Sequence, residues 1–145
     1  VTSLREGKPA DKWQKMKQAL RPSYGHVKVE ADGYTVDLMK ASDGEKIWVQ
    51  VWVNGSFEGR WTAQQDGLPK YPEGRFFRPM KRAIWKRSKF DALKKAFGKK
   101  RAEEMITPKV VGFLPDFGTA GSAVAHFKKH FPECRLIEPG EPAGQ

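Results

Sequence analysis

The chain has 145 residues, 27 Lys or Arg against 17 Asp or Glu, and a formal net charge of +10, a length that supports a single domain with a real core. The one cysteine, Cys134, excludes an internal disulfide, and no run is apolar enough for a membrane span or a signal peptide, so a soluble cytoplasmic protein with no membrane partner is expected. The apolar fraction of 39% is low, and an aromatic fraction of 12% compensates in part because each ring buries a large area.

Residues 1–10 and 139–145 read as flexible ends of that domain. A helix is expected over 11–20, with Trp13, Met16 and Leu20 on one side, Asp11 as its cap and Arg21-Pro22 as its stop. Four strand candidates follow, over 26–31, 34–41, 46–53 and 56–62. Asp32-Gly33 and Asn54-Gly55 are signals for two-residue hairpins, because a type I′ turn needs positive φ at both central residues. A longer turn is read at 42–45.

Those turns fix a register. Val29 faces Val36, Val27 faces Leu38, and Lys28 faces Asp37. A four-residue loop between the second and third strands would oppose Leu38 to Val49 and Val36 to Val51. One face is then a continuous valine-rich core. The other holds Trp48, Trp52, Phe57 and Trp61, with Trp52 opposite Phe57 and Trp48 opposite Trp61. This aromatic face has two readings: a second small core, or a platform on which unpaired bases stack. Residues 63–74, rich in Gly and Pro, read as an irregular loop able to cover it.

Residues 75–101 hold 12 Lys or Arg and one acid, Asp91, for a net of +11; the other 118 residues hold 15 and 16, for a net of −1. The positive charge is therefore a patch. A concentrated positive field attracts polyanions and gains free energy from counterion release. Five aromatics lie in the same stretch, so it is expected to fold with aromatics inward and charges outward. Pro79 suits the first turn of a helix running to Arg87. Ser88 with Asp91 suggests a capping box for a second helix that buries Phe90, Leu93 and Phe97 and ends at Gly98 in a left-handed conformation. A third helix is expected over 99–106. Arg75, Arg78, Lys81, Arg82, Lys86, Arg87 and Lys89 come first, then Lys94, Lys95, Lys99, Lys100 and Arg101 around the second turn. Together they are candidates for tracking a phosphate backbone without reading sequence. A helix-turn-helix fits poorly, since Lys99 and Glu104 occupy places that should pack inward.

Residues 110–114 suggest a fifth strand, 119–131 a last helix capped by Thr119, and 135–137 a strand closing a sheet edge. His126, His130 and Cys134 are spaced by four and four, but Pro132 interrupts the helix before Cys134 and no second ligand pair is evident, so no metal and no cofactor is expected. Glycine-rich phosphate loops, HExxH, GxSxG and dense carboxylate clusters are all missing, and nothing argues for an enzyme. Double-stranded RNA-binding domains share only the opening order of helix and three strands.

The expected fold is α+β: a four- or five-stranded, mainly antiparallel meander with an N-terminal helix and C-terminal basic helices on one face. The expected function is non-enzymatic binding of DNA or RNA by the basic segment, with Trp48, Trp52 and Trp61 as base-stacking candidates. The alternative is a phage- or plasmid-type inhibitor or adaptor that fits an acidic or nucleic-acid-binding groove of a partner protein.

Overall fold

Alternation of apolar and polar residues between Val27 and Val53 produces the sheet that organises the first half of the chain, in a computed structural model that describes residues 11–137. The ends read as flexible, 1–10 and 139–145, lie outside the described residues. Helix α1 (Lys12–Ala19) is followed by strands β1 (His26–Ala31), β2 (Tyr34–Ser42) and β3 (Ile47–Val53). After a 3₁₀ turn at Gly59–Thr62 come β4 (Gln64–Gln65), β5 (Leu68–Pro69), a 3₁₀ turn at Pro72–Phe76 and β6 (Arg78–Arg82). A 3₁₀ turn at Arg87–Lys89 leads into α2 (Phe90–Phe97) and α3 (Lys99–Ile106). Strands β7 (Lys109–Leu114) and β8 (Asp116–Phe117), helix α4 (Ala120–His130) and strand β9 (Arg135–Ile137) complete the order. Contacts divide the described chain into two compact units, residues 11–58, 76–78 and 115–137 in the first, 59–75 and 79–114 in the second.

The first unit is an antiparallel five-stranded sheet in the order β8-β3-β2-β1-β9 with two helices, and the fold is α+β. Its first turn is as read: Asp32 (φ 50°) and Gly33 (φ 83°) both take the left-handed conformation, and Val27 pairs with Leu38, Val29 with Val36. The next turn sits one residue later than expected. The Asp43 carboxylate accepts from the backbone N–H of Glu45 at 2.9 Å and of Lys46 at 2.7 Å, so Ser42 pairs with Ile47. Leu38 therefore meets Val51, and Val36 meets Val53. A slip of two residues leaves each side chain on its face, and the valine face survives intact. Val29, Val36, Leu38, Val51 and Val53 are fully buried there, each worth roughly 1.5–3 kcal/mol relative to exposure.

The fourth meander strand, expected over 56–62, does not form. Asn54 (φ 51°) and Gly55 make the turn, and Val53 and Ser56 exchange two backbone hydrogen bonds of 2.9 and 3.0 Å, but the ladder stops there. Asn54 is held by β2 instead: its N–H donates to the Thr35 carbonyl at 2.7 Å, and the Thr35 N–H donates to Asn54 Oδ1 at 2.9 Å. Gly59 falls inside the expected strand and weakens it. The place beside β3 is taken by β8, with Val49 opposite Phe117 and the Val51 N–H donating to the Pro115 carbonyl at 2.8 Å. At the other border β9 pairs with β1, as expected.

Helices α1 and α4 pack on this sheet. Met16 and Leu20 come from the α1 end, and Ala123, Val124 and Phe127 from α4; all are buried. Asp11 caps α1 by accepting from the Gln14 N–H at 2.8 Å, and Thr119 caps α4 in a reciprocal box with Ser122. Phe76 is fully buried, its ring stacked on Phe131 at 4.6 Å and edge-on to Tyr34 at 5.5 Å.

The second unit has a smaller core, in which Trp61, Leu93, Ala102 and Phe113 are the buried apolar side chains. Residues 63–74 are less irregular than read: Asp66 (φ 54°) and Gly67 make a third tight turn, which joins β4 to β5. The helix expected over 79–87 is replaced by β6, which pairs with β7 in a two-stranded sheet. On a helix, Arg78, Arg82 and Lys86 would stack at spacings of four and repel one another; an extended chain holds them apart. The strand read at 110–114 thus exists as β7, in this small sheet and not in the five-stranded one. Helices α2 and α3, eight residues each, pack together and are joined at Gly98. Among the described residues no helix is long and apolar enough to cross a membrane.

Candidate nucleic-acid interface

The aromatic sheet face is reduced to two tryptophans. Trp48 and Trp52 lie half-buried on β3, and the Trp48 indole N–H donates to Gln50 Oε1 at 3.0 Å. Beside Trp52 stands Asp37, whose carboxylate accepts from His26 Nε2 at 2.7 Å and lies 3.9 Å from the Lys28 ammonium. The strand expected to carry Trp61 alongside β3 does not form; Trp61 stands in the 3₁₀ turn at Gly59–Thr62. It belongs to the second unit and is 5% exposed, which leaves no ring face for a base. Phe57 packs against Phe77 at a ring separation of 5.8 Å instead of facing Trp52.

The cations sort into two groups. Arg78 is committed within the first unit: its Nη2 donates to Asp116 Oδ1 at 2.8 Å and its Nε to the Asp116 carbonyl at 3.0 Å. Arg75 Nε donates to the Pro72 carbonyl at 2.9 Å. The other ten candidates, Lys81, Arg82, Lys86, Arg87, Lys89, Lys94, Lys95, Lys99, Lys100 and Arg101, are exposed, all in the second unit. Among the described residues none of the ten forms an ion pair. Counted over its 53 residues, that unit holds 14 Lys or Arg against five Asp or Glu, a net of +9. The remaining 92 residues hold 13 and 12, a net of +1.

The helix pair arranges part of this charge. Leu93 is buried and Phe90 half-buried on α2, which leaves Lys94 and Lys95 in solvent. Ser88 does not cap the helix; Lys89 stands at its start without a side-chain cap. Gly98 ends α2 and begins α3 at φ 90°, ψ 161°, an extended positive-φ conformation open only to glycine and different from the left-handed cap expected. Lys99, Lys100 and Arg101 then fill the first turn of α3, with no acid among them and no side-chain cap before them.

The inward orientation expected for the aromatics holds only in part. Phe76 and Phe77 are fully buried, but Trp85 is 47% exposed and Phe97 52% exposed, next to an Ile84 that is 79% exposed. Ile84, Phe97 and Met105 line an open groove of about 570 Å³ with Lys99, Lys100, Arg101, Glu104 and Lys109. The Arg101 guanidinium lies 5.8 Å from the Phe97 ring centre. The Trp85 backbone N–H donates to the Met105 carbonyl at 3.0 Å, tying the segment after β6 to α3. The sequence signal is present, since Ile84, Trp85 and Phe97 all sit among lysines and arginines. For Phe97, on α2, the packing of the helix pair decides that it faces out.

Elsewhere the chemistry is sparse. The His126 and His130 rings are 4.5 Å apart on successive turns of α4, and no group of three metal-ligating side chains occurs among the described residues. Burial pushes the Cys134 thiol up, against the opposing charge of Lys12, which makes it a poor nucleophile. Set against protein families, curated proteins and solved structures, the chain gives no match.

Proposed function

We propose that this chain is a non-enzymatic nucleic-acid-binding protein whose basic segment, residues 81–101, holds the phosphate backbone. The observation that carries the reading is the set of ten exposed lysines and arginines that form no ion pair among the described residues. Solvation alone calls for mixed signs, whereas a polyanion site calls for one sign and releases counterions on binding. The first turn of α3 supports the same reading. Three cations there oppose the helix dipole, at a cost of about 0.3–1 kcal/mol each. A bound phosphate removes that cost. The sheet face takes no part in the proposal, because its unit is nearly neutral and its two tryptophans are half-buried.

Fluorescence anisotropy with labelled DNA and RNA, titrated against salt, tests it. The expected result is a linear fall of log K with log salt, at a slope of about −0.9 per phosphate on duplex DNA and about −0.7 on single strands. Absence of binding at low salt overturns the reading and turns the search to an acidic protein surface as the partner.

A further inference from the structure

We infer that the groove between the end of α2 and the start of α3 seats an unpaired base, so that the preferred ligand is a single strand. The inference rests on the phosphate-binding reading and adds to it which part of the nucleic acid meets which side chains.

Cations explain affinity for any polyanion, but they leave Phe97 and Ile84 unexplained. These side chains are 52% and 79% exposed in the unit that carries the positive charge. The duplex backbone offers phosphates and sugars to such a surface and keeps the flat apolar faces of its bases inside the stack. A single strand offers both, and stacking on an aromatic is worth enough to matter because every base has a π-face. The lining of the groove divides accordingly. Ile84, Phe97 and Met105 supply apolar surface, Lys99, Lys100 and Lys109 supply positive charge, and Glu104 is the one acid. A phosphate seated beside Glu104 would be repelled; a base seated there would not, and its flanking phosphates would fall to the lysines. A volume of about 570 Å³ lies within the range of sites that take a group as large as a nucleoside. The Arg101 guanidinium lies 5.8 Å from the Phe97 ring centre and adds a second flat group of a kind that stacks on bases.

Three probes applied to the full chain test the inference at one salt concentration: a labelled single-stranded oligodeoxynucleotide, the same sequence as a duplex, and an oligomer of equal length made of abasic sites. The abasic oligomer keeps the phosphates and removes the bases. The wild-type protein is expected to bind the single strand about tenfold tighter than either of the others. Phe97→Ala is expected to lower single-strand affinity about tenfold while leaving abasic affinity and the salt slope unchanged, and Phe97→Tyr to restore it. Equal affinity for the single strand and the abasic oligomer, or tighter binding of the duplex, overturns the inference and leaves the phosphate-binding reading standing. No binding of any probe overturns both, in favour of an acidic protein. The abasic comparison uses the wild-type protein, so it decides the matter even if Phe97→Ala does not fold.

Discussion

Of the 23 buried apolar side chains among the described residues, 19 belong to the sheet unit and four to the basic unit. Of the nine large apolar side chains that are exposed among the described residues, four belong to the sheet unit and five to the basic one, which is the smaller. Charge divides the same way, near neutral in the first and +9 in the second. One region is built around its own interior. The other keeps little inside and presents charge and apolar surface together. Stability and recognition are therefore expected to respond to different substitutions, and that expectation can be broken.

The largest effect is expected from Phe76→Ala. This side chain is fully buried among Phe131, Phe127 and Tyr34, and truncating it should destabilise the protein by about 3–5 kcal/mol in urea unfolding. Affinity for nucleic acid, measured where the variant remains folded, should hold. A variant that unfolds normally but binds poorly would place the sheet unit in the interface. Next comes combined reversal of Lys94, Lys95, Lys99 and Lys100 to Glu. Binding at about 0.1 M salt should weaken at least 100-fold, about 2.7 kcal/mol, with the melting temperature unchanged or raised by relief of like-charge repulsion. Unchanged affinity would remove these residues from the interface and dissolve the contrast between the units.

Gly98→Ala should act on both properties. A Cβ at this position meets open space, but the backbone at φ 90°, ψ 161° is one that L side chains rarely adopt, so strain of about 1–3 kcal/mol is expected together with a loss of affinity as α3 turns away from α2. Full retention of affinity would show that the relative placement of the two helices does not matter for binding. The smallest effect belongs to Asp43, whose carboxylate is held below its usual range by hydrogen bonds from the Lys46 and Glu45 backbone N–H groups. A depressed folded-state value contributes stability that is present above the unfolded value, about 3.9, and is lost as pH falls through the folded one. Asp43→Asn should therefore flatten the stability curve slightly below about pH 4 and leave binding at neutral pH untouched. A steeper acid limb in the variant would contradict this account.

The parts of the fold that the sequence discloses are those decided locally. Asp32-Gly33 specifies its own backbone, Asp11 and Thr119 cap the helices that follow them, and period-two alternation places the valines. Asp66-Gly67 carries the same signal as Asp32-Gly33 and Asn54-Gly55, but in a stretch whose glycine and proline content masks the short strands on either side. What stayed hidden depends on distant segments. Nothing in the two residues Asp116-Phe117 announces that they take the place beside β3, which 56–62 would otherwise fill. The first turn of a helix suits Pro79, but the repulsion of Arg78, Arg82 and Lys86 and the availability of β7 favour a strand. At the candidate interface the exposure of the cations follows from charge alone. The outward facing of Phe97 does not, because it depends on how α2 meets α3.

The borders of the five-stranded sheet carry a consequence for the protein in crowded company. Each border is a fragment, β8 with two residues and β9 with three. Next to β8 stands Pro115, which has no N–H to donate to an incoming strand. Among the described residues neither border strand offers a long row of free backbone groups to a neighbouring molecule, a feature by which natural sheets avoid fibrils and edge-to-edge association. A polyanion that gathers many cationic copies along its length would raise their local concentration steeply. Sheets with such short borders can then stand side by side without zipping together.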